Sequence, residues 1–593
     1  MTYTAPIRDM LFTLDAVAGI GDLAQLPAYS EVTPDLTASV LEEAGRFAGE
    51  VLAPLNRIGD IQGSRLENGV VRTPDGFADA YRQFCDGGWN GLPFDPDFGG
   101  QGLPWLLGTA VQEMWDGANM AFGLCPLLTK AAVDALHSFG TPAQKAKYLA
   151  PLIHGRWSGT MNLTEPQAGS DVGALRTRAV RNGEHYRLTG QKIFITYGDH
   201  DMSENIVHMV LARTPDAPPG VKGLSLFIVP KILVGADGRL GARNDVRCLS
   251  LEHKMGINGS PTAVLAYGDD GGAFAELVGE ENRGIEYMFA MMNNARLSIG
   301  IEGLGIAERA YQMSRDYART RLQSRAVDSA DPSPVPIIRH PDVRRMLMTM
   351  RATIDAMRAI IYNTAAGIDR AKHLPDAKDR AAWLGEVELL TPVAKAWCTD
   401  MACSITSLAV QIHGGLGFIE QTGVAQLYRD ARIAPIYEGT NGIQANDLVG
   451  RKLMRDGGDM ARAFFEHIRM TAAEAAGQAG SLPQIGAALN QNLTAIERAT
   501  QWLIATWPKD KRLALSGATP YLALFGLVSG AFLLTRQALA AQAHRNGADR
   551  AFLDGKITLA RFFCDNLLTA APGLAATVTG GGASTLELAE DMF

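Results

Sequence analysis

The chain is poor in cysteine, and the cysteines it has are scattered. Cys85, Cys125, Cys248, Cys398, Cys403 and Cys564 lack the paired spacings that a zinc site or a disulfide framework requires. A reduced, cytoplasmic compartment is therefore expected. Basic residues are not in excess: 55 lysines and arginines stand against 63 aspartates and glutamates, a net charge of −8, which argues against a general nucleic-acid binder. The first apolar stretch is interrupted by Arg8, Asp9 and Asp15, so no secretory leader is expected. A long apolar run is also missing. Residues 521–535 form a run of 15, short of the roughly 20 that cross a bilayer, and Gly526 and Gly530 interrupt it. A buried helix is expected there and no transmembrane segment.

What is present is the material for several cores. At 593 residues the chain suggests roughly four folding units. Residues 36–55 repeat apolar side chains every three or four positions, a helical period, and this texture continues to about residue 157. Within it Thr141-Pro142-Ala143-Gln144 has the form of a helix start, with Thr as N-cap, Pro in the first turn and Gln completing a capping box. Residues 91–104 are a loop by their glycine and proline content. The period then shortens: residues 206–213 and 223–230 are β-branched runs bounded by Pro and Gly, as in an antiparallel sheet or small barrel. The helical period returns near Glu286 and persists to the end. Residues 326–336, rich in Pro and Ser, are expected to be a solvated loop. Residues 456–593 are too regular in apolar pattern to be a disordered tail and are expected to fold as an added helical domain.

Three motifs carry the chemistry. Tyr437-Glu438-Gly439-Thr440-Asn441-Gly442-Ile443 sets one carboxylate on a tight, glycine-flanked turn leading into an amphipathic segment. TEPQAGSD at 164–171 supplies small and hydroxyl residues, with Gly169 expected to permit a turn. GQKIFIT at 190–196 alternates as a strand does, which places Phe194 and Thr196 on one face. Taken singly, each has a structural reading: Glu438 capping the helix that starts near Asn441, an ordinary loop, and a half-buried strand. Arg321, ending the pattern YQMSRDYARTR, is by itself a helix-end arginine beside the dipole.

In order and approximate spacing, however, the three motifs resemble those of the acyl-CoA dehydrogenase flavoproteins over about residues 36–455. The resemblance implies an α+β multidomain fold: an N-terminal extension at 1–35, a helical domain at 36–158, a middle antiparallel β-domain at 159–284, a helical bundle at 285–455, and the added helical domain at 456–593 of the family's long form. It implies bound FAD and an acyl-CoA substrate. Glu438 would be the base that takes the pro-R α-hydrogen while the β-hydrogen leaves as hydride, giving a trans-2-enoyl-CoA. The Glu438 backbone N–H, together with a flavin ribityl hydroxyl, would hold the thioester carbonyl, and burial against substrate would raise the Glu438 pKa toward neutrality. The family's other base position, one residue before the arginine matched by Arg296, is Ala295 here, which cannot take a proton. The cofactor contacts implied are Met161, Leu163, Thr164, Gly169, Ser170, Phe194, Thr196, Arg321, Gln411, Gly415, Thr440 and Asn441. Substrate contacts are Ser170, Arg296, Glu438 and Gly439. Many relatives carry an aromatic at Met161, Trp at Phe194, and Phe-Gly where this chain has Ser324-Arg325. Arg321, Gln411 and Gly415 match residues that reach the FAD of a neighbouring subunit, so a homo-oligomer, at least a dimer, is expected, with electron-transfer flavoprotein as electron acceptor. His413 is given no role.

Other branches of the family are weaker readings. One joins this fold to a basic DNA-binding domain, but residues 456–593 hold 11 lysines and arginines against 12 aspartates and glutamates, too few cations to neutralise many phosphates. An acyl-CoA oxidase differs in its reaction with oxygen, which no motif reports.

Overall fold

The computed structural model describes residues 3–328, 330–545 and 549–593, and side chains except those of 289–294. By contact density the chain divides into two compact units.

One unit holds residues 3–5 and 43–298. Its centre is an eight-stranded sheet of β1 (Trp157–Asn162), β2 (Arg178–Asn182), β3 (His185–Thr196), β4 (Asn205–Ala212), β5 (Ser225–Pro230), β6 (Val246–Leu251), β7 (Thr262–Tyr267) and β8 (Ala273–Val278). The path runs β6-β7-β3-β8-β5-β4-β1, with β2 also paired to β3. The expected antiparallel pairing is found except at one place: β1 and β4 are parallel. Parallel neighbours need a long connection, and the β2–β3 hairpin lies in the chain between them.

Helices α1 (Trp105–Phe139) and α2 (Pro142–Ile153) cover one sheet face. Strand alternation divides two cores: Met209 and Leu211 of β4 pack with Leu136, Tyr148 and Leu152, whereas Val210 and Ala212 pack with Leu188, Phe227 and Tyr267 on the other face. A strand covered on both sides is apolar throughout, and every residue of β4 is buried. Helix α2 begins with the predicted capping box: Gln144 N donates to Thr141 Oγ1 at 3.2 Å and Thr141 N to Gln144 Oε1 at 3.0 Å. Helical texture is not continuous to 157, because Arg65–Glu67 and Val70–Arg72 form an antiparallel hairpin. Its turn, Asn68-Gly69, has two positive φ angles, the geometry that a two-residue hairpin loop favours.

The other unit holds residues 6–42 and 299–593. It contains the later part of α3 (Gly284–Thr320), α4 (Pro341–His373), α5 (Ala377–His413), α6 (Val424–Ala431), α7 (Asn441–Asp447), α8 (Asp459–Ala476), α9 (Leu482–Thr506), α10 (Ala518–Ala543) and α11 (Arg550–Asn566). Helix α10 is long and apolar enough to span a membrane, yet 78% of its most apolar window is buried, against α4, α5, α9 and α11 among others. Gly526 and Gly530 do not interrupt it. They let it approach: a Cβ at Gly526 would lie 2.2 Å from Trp397 Cγ of α5, and one at Gly530 3.1 Å from Ala356 Cβ of α4. The 326–336 insertion is pinned at its base by Gln323 N to Val335 O at 3.0 Å and Val335 N to Ser324 O at 2.9 Å; Ser329 within it lies outside the described residues.

Candidate active site

The two motifs of the β-domain meet through a buried ion pair. Lys192 Nζ lies 2.9 Å from Glu165 Oε1 and donates to Leu163 O at 2.9 Å. Glu165 also accepts from Arg176 N at 2.7 Å, Thr177 N at 3.0 Å and Thr177 Oγ1 at 2.6 Å. Burial would raise this carboxyl, but Lys192 and these donors bring it down to about 2. Burial pulls the Lys192 ammonium down to about 8, with Glu165 opposing the shift. Both groups are therefore charged at neutral pH. The Thr164 carbonyl accepts from Ile193 N at 3.0 Å, so the two motifs also share backbone pairing. Sequence reading assigned neither Glu165 nor Lys192; a lysine on the inward side of an alternating strand was the available signal.

Phe194 sits in a bulge. Lys192 pairs with Leu265 and Ile195 with Ala263, so two residues of β3 stand against Val264 alone, and Phe194 takes φ +59°. A bulge shifts the alternation. Lys192 and Ile195 are both buried, while Phe194 is 58% exposed and Thr196 half-buried. Phe194 and Thr196 thus share the accessible side, a face that simple alternation from Lys192 would have denied them. Met161 is buried in β1 and Leu163 and Thr164 are half-buried, whereas Gly169 and Ser170 are exposed. Gly169 departs from expectation: its φ is not positive, so the turn does not require glycine there. A Cβ would meet nothing within 4 Å, and what glycine leaves at 169 is open space. Arg296 on α3 is buried, at 3% exposure.

In the helical unit, Glu438 and Gly439 take consecutive left-handed angles, φ +53° and +83°. For a glutamate this geometry costs roughly 1–2 kcal/mol, so neighbouring contacts must hold it. Thr440 is the N-cap of α7, accepting from Ile443 N at 3.3 Å. Asn441 is tied to α5: its Nδ2 donates to Asp400 Oδ1 at 2.7 Å, Thr399 Oγ1 at 3.0 Å and Ala396 O at 3.1 Å, and its Oδ1 accepts from Lys395 Nζ at 2.8 Å. The Asn441 amide has its hydrogen-bonding capacity filled by protein. Tyr437 donates its hydroxyl to Glu302 on α3. Gln444 Nε2 lies 3.4 Å from Glu438 O and 3.3 Å from Gly439 O. None of Glu302, Lys395 and Gln444 was singled out from sequence.

Arg321, one residue beyond α3, is exposed and donates to Gln323 Oε1 at 3.2 Å. Gln411 and Gly415 are exposed beside Leu416, Phe418 and Ile419, of which Phe418 is 85% exposed. Between them His413 is buried, stacked on Tyr317 at 4.4 Å, with Nδ1 bonded to Ala409 O at 2.8 Å. Burial lowers its pKa, so it is neutral, and Nε2 has no partner among the described residues.

Each unit, taken by itself, carries groups of the kind that a flavin dinucleotide meets. The β-domain offers an exposed aromatic, hydroxyl groups and a glycine with open space. The helical unit offers an exposed guanidinium, an amide, and Gly414 and Gly415, where a Cβ would meet nothing.

Family models match in sequence along the chain: acyl-CoA dehydrogenase N-terminal domain at 37–156, middle domain at 160–269, C-terminal domain at 282–453, and acetyl-CoA dehydrogenase C-terminal-like at 464–589. The chain belongs to the acyl-CoA dehydrogenase family. As such it is an FAD-dependent oxidoreductase acting on acyl-CoA thioesters. It is 50% identical over 588 residues to 3-methylmercaptopropionyl-CoA dehydrogenase of Ruegeria pomeroyi, covering 99% of each chain. Butyryl-CoA dehydrogenase of Syntrophomonas wolfei is 33% identical over 614 aligned positions, 100% of this chain and 99% of the relative. The crystal structure of acyl-CoA dehydrogenase complexed with FAD from Bacillus anthracis superposes with TM-score 0.74 at 23% identity, covering 98% of this chain and 93% of that one, which supports the long-form fold.

Proposed function

We propose that this acyl-CoA dehydrogenase converts 3-methylmercaptopropionyl-CoA to methylthioacryloyl-CoA, with Glu438 as the base. The substrate reading is supported by the end-to-end likeness to the Ruegeria enzyme. The Glu438 reading is carried by one observation: the carboxylate stands on two consecutive left-handed residues, with Thr440 and Asn441 fixing the chain immediately beyond them.

An α-proton of a thioester is only weakly acidic, so a positioned base must take it as the α,β double bond forms. The Glu438 carboxylate accepts that proton, and its backbone N–H donates to the thioester oxygen on which charge develops. Bound FAD supplies a hydride acceptor for the β-hydrogen. Met161, Leu163, Thr164, Gly169, Ser170, Phe194 and Thr196 hold the cofactor from the β-domain, with Ser170 also near CoA. Thr440 contacts it from the turn, and Asn441 acts there through backbone and position because its side chain is engaged. Gly439 and Arg296 shape the substrate site. Arg321, Gln411 and Gly415 reach the FAD of a second copy, making the working form a homodimer or larger. Electron-transfer flavoprotein is the acceptor, the compartment is the cytoplasm, and the domains divide as 1–35, 36–158, 159–284, 285–455 and 456–593.

Turnover across a panel of acyl-CoAs tests the substrate. 3-Methylmercaptopropionyl-CoA is expected to give the highest kcat/KM; a clear preference for a straight-chain thioester such as butyryl-CoA overturns the substrate and leaves the dehydrogenase reading. Bleaching of the bound flavin that persists in air until an electron carrier is added distinguishes a dehydrogenase from an oxidase.

A further inference from the structure

We infer that Gln444 is the positioning residue that fixes the Glu438 turn for proton abstraction, an inference resting on Glu438 being the base. Gln444 lies in α7, four residues after the Thr440 N-cap, and its side chain folds back over the helix start. It is fully buried. Two carbonyl oxygens, Glu438 O at 3.4 Å and Gly439 O at 3.3 Å, face the same amide end. A carbonyl can only accept, so the end facing them is the NH₂ group and the orientation of the amide is settled by its surroundings. The NH₂ group thereby faces the carbonyls of the two peptide units that follow the left-handed residues.

The geometry makes this a coupled device. Glu438 is a non-glycine residue at φ +53°, and Gly439 at φ +83° completes the reversal. Left-handed glutamate persists only where surroundings over-determine it, and the amide of Gln444 reaches both halves of the turn. Gly439 is constrained by the same side chain, since a Cβ there would lie 2.7 Å from Gln444 Nε2. Gln444 Oε1 has no hydrogen-bond partner among the described residues. A buried amide with one end unmatched is costly, and an apolar side chain of the same length would avoid that cost. What the apolar side chain would lose is the grip on the carbonyls of 438 and 439. Tyr437 is tied to Glu302 and Asn441 to α5, which holds the residues on either side of the turn.

The test compares Gln444→Met, which keeps length and removes the donors, with Gln444→Glu, which faces oxygen toward the two carbonyls. Each FAD-loaded variant is mixed anaerobically with 3-methylmercaptopropionyl-CoA or butyryl-CoA, whichever reduces wild type faster, in protiated and α-dideuterated forms. A displaced base slows only the chemical step, and a shift of an ångström can lower a rate by about 100-fold. The expected result is flavin content and KM within about twofold of wild type, flavin reduction slower by about tenfold or more, and a larger α-deuterium isotope effect. The inference is overturned if Gln444→Met reduces flavin as fast as wild type, or if rate, KM and flavin content decline in parallel with an unchanged isotope effect, the mark of a merely structural side chain. Should the methionine variant not fold, the glutamate variant decides alone by the same readouts. Glu438→Gln separates the two layers: if it retains turnover, the base assignment fails and this inference with it; if it is inactive while Gln444→Met behaves as wild type, only this inference fails.

Discussion

Lys192 Nζ and Glu165 Oε1 stand 2.9 Å apart in the β-domain, with the lysine 0% and the glutamate 4% exposed. Twenty-seven residues separate them in sequence. The pair joins the strand carrying Phe194 to the turn carrying Thr164, so it helps the Ile193 N to Thr164 O bond to register two segments read as cofactor-binding. Removing one partner of a buried pair leaves the other uncompensated, typically at about 3–5 kcal/mol. Lys192→Met is expected to lower the thermal midpoint and to reduce the flavin retained through gel filtration. An unchanged midpoint and flavin ratio would show that the sheet alone sets this register.

The base assignment predicts a sharp separation of binding from turnover. Glu438→Gln is nearly isosteric and cannot accept the α-proton. It should keep FAD and bind substrate with similar affinity while losing about 100-fold or more in kcat. Steady-state turnover and anaerobic flavin bleaching check this. Activity within about threefold of wild type rules Glu438 out as the base.

Local signals in the sequence were read well where the physics is local. The capping box at Thr141 and Gln144 and the strands at 205–212 and 225–230 depend on residues a few positions apart. The hairpin at 65–72 was equally local, announced by Asn68-Gly69, and was passed over because helical periodicity surrounds it. The bulge at Phe194 was not legible: it is a register decision between β3 and β7, visible only when Ile195 is paired with Ala263. Gly169 was read as a conformational glycine, but open space and not backbone angle distinguishes its position. The grips on the Glu438 turn were hidden for a similar reason. Glu302 meets Tyr437 across 135 residues, and such pairings leave no periodic trace.

Arg321 is expected to act on the cofactor and not on the chemistry. It is exposed beyond the end of α3, where a guanidinium is free to meet phosphate oxygens at little desolvation cost. Arg321→Ala should lower FAD retention, and more so at high ionic strength, where the remaining charge contacts are screened. Flavin content after gel filtration at low and high salt checks it. Retention equal to wild type at both would remove Arg321 from the cofactor site.

The last prediction concerns the N-terminal segment, which is clasped to the added C-terminal helices. Asp9 Oδ1 lies 2.7 Å from Lys556 Nζ of α11 and is also paired with Arg351 of α4. Lys556 bonds Asp355 of α4 at 2.7 Å, and Arg358 joins Asp355 to Glu308 of α3 at 3.3 and 2.9 Å. Phe12 and Phe552, packed edge to face with centroids 5.6 Å apart, both lie near the lysine ammonium, 5.6 and 5.4 Å from it. Burial would raise the Asp9 carboxyl, but Lys556 and Arg351 hold it well below the usual carboxylate range. A carboxyl whose pKa is depressed on folding binds its proton more weakly in the folded chain than in the unfolded one. Its stabilising contribution is therefore complete above about pH 4 and disappears as the pH falls further. Asp9→Asn keeps the shape and removes the charge, leaving Lys556 and Arg351 short of one anion. It should destabilise the protein at neutral pH by about 3 kcal/mol, with the largest loss of protease protection in residues 6–18 and α11, while flavin spectrum and KM stay near wild type. Because the variant has no carboxyl to protonate at this position, the gap between the two proteins should narrow below about pH 4. Thermal melts of both proteins across the acid range check the sign: a gap that widens with falling pH would mean that Asp9 is not held as a carboxylate by its cationic neighbours.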